Sequence, residues 1–168
     1  MLLTFLMSIL NLNAQKLAVD KVESDGSRTI VSYAYPFYKD IMSGDYAEFN
    51  VGCIAHNENK SFYITFNICD KYRTVNIEKG RKLLVKLEND SIIESYNEFS
   101  HSTNSSYLLS EEQIKKILNG NVVKIRIERD VDVIDKEIRK NKFSKRVKEA
   151  YDNIIKALQT SKDIYSDF

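Results

Sequence analysis

Ser61 to Cys69 read SFYITFNIC, and the fold turns on this stretch. Phe62, Ile64, Phe66 and Ile68 alternate with Tyr63, Thr65, Asn67 and Cys69. Side chains along a strand point to opposite faces with a period of two, so the first set makes a continuous apolar face and the second a mixed one. The segment reads as a central strand with one face on a core.

Its neighbours are tested by whether their turns keep the apolar residues in phase. A four-residue loop at Asn57 to Lys60 sets His56 opposite Ser61, so that Cys53 faces Ile64, Val51 faces Phe66 and Phe49 faces Ile68. A turn at Asp70 and Lys71 sets Phe66 opposite Val75 and Ile64 opposite Ile77. Glu78, Lys79 and Gly80 suit a three-residue turn with glycine in the left-handed position, bringing Val75 opposite Leu83, with Val85 and Leu87 following in phase. Asn89 and Asp90 then turn the chain into Ile92 and Ile93. Apolar residues meet on one face throughout, as cross-strand pairing requires, so Ala47 to Tyr96 are expected to form one antiparallel meander. Upstream, Thr29 to Tyr35 alternate as a strand that Pro36, the only proline, should end. Tyr33, Tyr35, Phe37 and Tyr38 cluster there; such rings serve as core and rim, or as a ligand platform.

After a polar loop at Ser100 to Ser106, Ser110 and Gln113 make a capping box, with Leu109 and Ile114 as its staple, and Gly120 closes the short helix. Val123, Ile125 and Ile127 alternate with Lys124, Arg126 and Glu128 in a further strand. A long helix is expected from about Asp135 to Thr160, because Phe143, Val147, Tyr151, Ile154 and Leu158 recur at three- and four-residue steps. That stripe needs a surface, and the Phe62 to Ile68 face is the largest available. The expected fold is α+β: an antiparallel β-meander sheet with a short helix and a long C-terminal helix packed on one face. A two-sheet sandwich with the helix at an edge is the competing architecture.

Composition agrees with one globular domain. The 168 residues are 43% hydrophobic and 29% charged, with a formal net charge of +1, which gives no global electrostatic reason to expect nucleic acid as a partner. Leu2 to Leu10, LLTFLMSIL, followed by Asn11 to Gln15, read as a secretory signal cleaved after Ala14. Its exit resembles export signals of Gram-negative anaerobes. The expected organisation is a signal peptide over 1–14 and a single domain over 15–168, exported to the periplasm or secreted. No later stretch is long and apolar enough for a transmembrane anchor.

Catalytic signals are sparse. Cys53 and Cys69 fall in opposite phases of adjacent strands, so two unpaired thiols are expected. Cys53, His56, Cys69 and His101 lack the converging spacing of a tetrahedral zinc site, so no metal site is assigned. The same geometry weakens a Cys53 and His56 nucleophile pair. No nucleophile elbow, metalloprotease helix or phosphate-binding glycine loop is present, and no cofactor is implied. Asp70, Glu78, Asp90 and Glu94 lie in or beside turns, where acidic residues belong on conformational grounds. Sequons begin at Asn59, Asn89 and Asn104, again where Asn and Ser favour turns.

The most distinctive local feature is charge. Between Lys136 and Lys148, on the predicted long helix, Lys136, Arg139, Lys140, Lys142, Lys145, Arg146 and Lys148 stand against Glu137 alone. A basic helix face is either solvated or a docking surface for an anionic partner. With no catalytic motif to set beside it, the expected function is a non-enzymatic interaction or binding module of the envelope or secreted fraction. Its ligand-binding residues would be Arg139, Lys142, Lys145 and Arg146, meeting a protein or an anionic envelope component. The alternative is a small hydrolase whose carboxylates or tyrosines converge only in the fold.

Overall fold

The computed structural model describes residues 17–71, 73–98 and 104–160. The expected signal peptide, His101 and the first part of the polar loop lie outside the described residues. In chain order the elements are β1 (Leu17–Val22), β2 (Arg28–Ser32), β3 (Tyr35–Asp40), β4 (Asp45–His56), β5 (Asn59–Asp70), β6 (Arg73–Thr74), β7 (Lys82–Leu87), β8 (Ile92–Tyr96), β9 (Asn104–Leu109), α1 (Glu111–Asn119), β10 (Val122–Glu128), β11 (Val133–Glu137) and α2 (Lys142–Leu158). The fold is α+β with antiparallel pairing throughout, as expected. Among the described residues no helix is long and apolar enough to cross a membrane.

The strand read first is the centre. β5 pairs with β4 along its whole length and with β9 on its other side. Phe62, Ile64, Phe66 and Ile68 are buried almost completely. The stripe on α2 covers this row. The Phe143 ring lies 4.6 Å from Phe49 and stacks parallel to Phe66 at 6.5 Å, and Tyr151 sits 5.2 Å from Phe62.

The β4–β5 turn is shorter than expected. His56 pairs with Asn59, so Asn57 and Glu58 form a two-residue hairpin turn, with Asn57 at φ 54. Asparagine tolerates the left-handed region that such a turn demands. Val51 therefore faces Ile64 and Phe49 faces Phe66, a slip of two residues from the expected register. Because the slip is even, every side chain keeps its face.

The meander itself divides. β6 is only two residues long, and beyond it β9 takes the place beside β5, pairing Leu109 with Phe62 and Tyr107 with Ile64. Ile77 is buried but lies outside any strand. β7 and β8 join β10 and β11 in a second, four-stranded sheet, whose Leu83, Val85, Ile93, Ile125 and Ile127 belong to the same core as the first. Part of the expected polar loop is thus a strand. Its Ser106 hydroxyl meets that of Thr65 at 2.7 Å, and its Tyr107 is fully buried. The mutual hydrogen bond makes the Thr65 and Ser106 hydroxyls cheap to bury.

Asn97 stitches the two sheets together. It is 1% exposed. Its amide nitrogen donates to the Ile77 and Glu78 carbonyls at 2.7 and 3.1 Å, its side-chain oxygen accepts from the Ser106 N–H at 3.0 Å, and it bridges to Tyr107. At another seam, Arg129 links Asp132 beside β11 to Asp70 at the end of β5, the latter at 3.2 Å.

Three smaller expectations need adjusting. Pro36 does not end a strand but stands second in β3, an edge strand, where a missing N–H is tolerated. The capping box at Ser110 forms as expected, but Gly120 has φ −100 and is not left-handed. It is glycine for space, since a Cβ there would lie 2.8 Å from the Lys116 carbonyl oxygen and 3.1 Å from Leu87. The long helix starts at Lys142, not Asp135, because residues 133–137 pair with β10 and bury Ile134.

Both cysteines are free and buried. Cys53 stands opposite Phe62, and Cys69 lies seven residues further along β5 on the other face, a separation of roughly 23 Å at about 3.3 Å per residue. Burial pushes the Cys53 thiol up to about 11. Native protein at pH 8 should therefore resist alkylation at Cys53, and unreduced, denatured protein should label at both thiols by mass spectrometry. A count of zero would refute the register. Replacing Asn97 with Leu strands two buried backbone groups, the Ile77 carbonyl and the Ser106 N–H, at about 1–3 kcal/mol each. Urea unfolding should show a loss of several kcal/mol.

Candidate anion-binding site

The chain between β11 and α2 builds the site. β11 is pinned to β10 by a two-pronged bond from Arg126 to Asp135, 2.7 and 2.6 Å, and the Ile138 N–H continues the pairing onto the Val123 carbonyl at 2.8 Å. Lys140 and Asn141 then both adopt left-handed backbone, φ 56 and 52. Two consecutive non-glycine residues in this region are unusual, and they turn the chain sharply into α2. Asn141 therefore does not cap the helix with its side chain, and the first turn carries no acidic residue.

The turn sets Arg139, Lys142 and Arg146 at one mouth, facing β3. A cleft of about 420 Å³ lies between them, floored by Phe37, Phe49, Ile138 and Phe143, and edged by Lys39, Arg139, Lys142, Arg146 and Glu137. Arg146 donates to the Pro36 carbonyl at 3.3 Å and its guanidinium sits 5.7 Å from the Tyr35 ring. Lys136 lies over Tyr38, 4.2 Å from the ring centre. Burial raises the Tyr35 and Tyr38 hydroxyls above the usual tyrosine range, so both stay neutral at physiological pH. Glu137 is engaged by Lys124 at 3.4 Å. Among the described residues, Lys39, Arg139, Lys142, Lys145 and Arg146 make no ion pair.

Of the residues picked out from charge alone, Arg139, Lys142 and Arg146 converge on the cleft. Lys145 is exposed and lies outside its lining. Arg139 precedes the helix and is not carried on it. Lys39 went unrecognised, because it arrives from β3, distant in sequence. The aromatic cluster beside it was the available signal.

The other candidate groups stay apart. Asp70 pairs with Arg129, Glu78 with Arg81, Asp90 with Lys86 and Glu94 with Lys82. Each carboxylate thus faces a cation, with Arg129 shared with Asp132 and Arg81 with Asp130. Cys53 is buried and His56 exposed. Among the described residues no three metal-ligating side chains cluster. Comparison of the chain with protein-family models, with curated proteins and with solved structures finds no match.

Asp135 gives the strap that carries Arg139 a pH dependence. Its bonds from Arg126, reinforced by Lys124, hold its carboxyl at about 2, below the value of about 3.9 for an unfolded chain. A depressed folded value means stability that is complete above the unfolded value and lost as pH falls from about 4 towards 2. Asp135→Asn should lower the melting temperature at pH 7 and flatten its dependence between pH 4 and 2, as followed by circular dichroism.

Proposed function

We propose that the protein is a non-enzymatic binding module of the envelope or secreted fraction that recognises an anionic partner at the mouth between β3 and the start of α2. One observation carries the reading: Lys39, Arg139, Lys142 and Arg146 surround a single cleft with no ion-pair partner among the described residues. Lys82, Lys86, Lys115, Lys116 and Arg126 each pair with a carboxylate, whereas these four cations crowd one mouth without one. A concentrated positive mouth on a chain of net charge +1 acts by local field and orientation, not by bulk attraction.

The field is polar along α2. At the far end of the helix the Arg28 guanidinium bonds the Thr160 carbonyl at 2.7 Å and pairs with Asp20 at 2.8 Å, in the neighbourhood of Glu23 and Asp25. Lys142, Lys145 and Arg146 thus sit at the N-terminal end of the helix, while its last turn, with Lys156, lies by the Arg28 and Asp20 pair. The helix dipole has the same sense, positive at its N-terminus.

Binding of fluorescein-labelled poly-glutamate, followed by anisotropy, tests the surface. The wild-type protein should bind at low salt and release as salt rises, and the Lys142→Glu, Lys145→Glu, Arg146→Glu triple variant should bind at least about tenfold more weakly. Its circular dichroism spectrum should be unchanged, with a small loss of melting temperature from the Arg146 contacts. Equal binding by the triple variant would remove this surface from consideration.

A further inference from the structure

We infer that the cleft takes a small amphiphilic organic anion, one carboxylate-type head on an apolar body, as its ligand; this rests on the anion-binding reading above and specifies it. A flat acidic partner would need only the rim of cations. The structure has more than a rim: the open depression between β3 and α2 has a volume of about 420 Å³, within the roughly 300–1,000 Å³ of small-molecule sites. Its floor is apolar, with Phe37 and Ile138 part-exposed above the buried Phe49 and Phe143, while its cations stand at the edge. An inorganic anion would leave that floor uncovered, and an uncharged apolar molecule would leave the cations unanswered.

The head is recognised by fixed geometry. Arg146 is held from two sides, by its bond to the Pro36 carbonyl and by the Tyr35 ring. A guanidinium has five N–H donors, and a single bond to Pro36 leaves others for an incoming oxyanion. Arg139 and Lys142 stand on the same mouth, and the start of α2, without a side-chain cap or an acidic first-turn residue, adds partial positive charge to theirs. Glu137, the carboxylate on the rim, is one negative group among four cations and lies 3.4 Å from Lys124. The body of the ligand is recognised by area alone, so the site should sort ligands by the combination of charge and apolar length.

Isothermal titration calorimetry of the folded chain with sodium decanoate, kept below its micellar concentration, reads this directly, with decanol and acetate as the two halves of the probe. Decanoate should bind at one site per chain, and decanol and acetate each at least about tenfold more weakly. The Arg139→Gln, Lys142→Gln double variant changes two side chains that make no ion pair, so it should keep its melting temperature while losing at least about tenfold in decanoate affinity. Decanoate binding that equals that of decanol, or that survives in the double variant, overturns the inference. If decanoate fails to bind while poly-glutamate binds and is lost on charge reversal, the small-ligand inference falls and the anionic-partner reading stands. If neither probe binds, both fall.

Discussion

The fold depends on covering one row of side chains. Phe62, Ile64, Phe66 and Ile68 on β5 can be dry only if another layer lies over them, and α2 supplies that layer through Phe143, Val147, Ala150 and Ile154. Phe143 touches the rings of Phe37, Phe49 and Phe66 and so locks the first turn of α2 to the sheet. This contact also determines where the cleft lies. Because Phe143 must enter the core, its neighbours Lys142 and Arg146 are left at the boundary where β3 ends its cover, and the floor of the cleft is the outermost part of the core.

How much of this was legible in the chain follows from how local each cause is. The β5 alternation, the Ser110 capping box and the α2 stripe are properties of a few consecutive residues, and all three appear as read. The division into two sheets is not local. It depends on Asn97 finding two carbonyls and an amide across three segments, and on Ser106 finding Thr65, so that a stretch of serines becomes a buried strand. Hydrophobic periodicity cannot register such satisfaction, because a serine that is hydrogen-bonded in a core and one in a wet loop read alike. β11 hides for a related reason: Val133 to Glu137 carry two apolar residues, and what makes them a strand is backbone pairing with β10, with Arg126 opposite Asp135. The candidate site was half visible, since Arg139, Lys142 and Arg146 are close in sequence and Lys39 is not.

The cations at the start of α2 carry a further physical consequence. Helices ordinarily place acidic residues in their first turn, where each contributes a few tenths to about 1 kcal/mol against the positive end of the dipole. α2 does the reverse: Lys142 and Lys145 occupy the first turn, Asn141 withholds its side-chain cap, and Lys140 and Asn141 both sit in left-handed backbone. By contrast α1 has Glu111 and Glu112 in its first turn and a complete capping box. The same chain therefore contains a helix start finished by its own residues and one left electrostatically open. The open start is held in place by Phe143 in the core, so its stability comes from packing and not from its termini. Any anion that occupies the mouth binds the folded chain and has no equivalent site on the unfolded one, and must then stabilise the folded state by an amount that grows with the logarithm of its concentration over its dissociation constant. Packing fixes the position of this helix start, and the positive end of the helix at that position is left without an acidic first-turn residue.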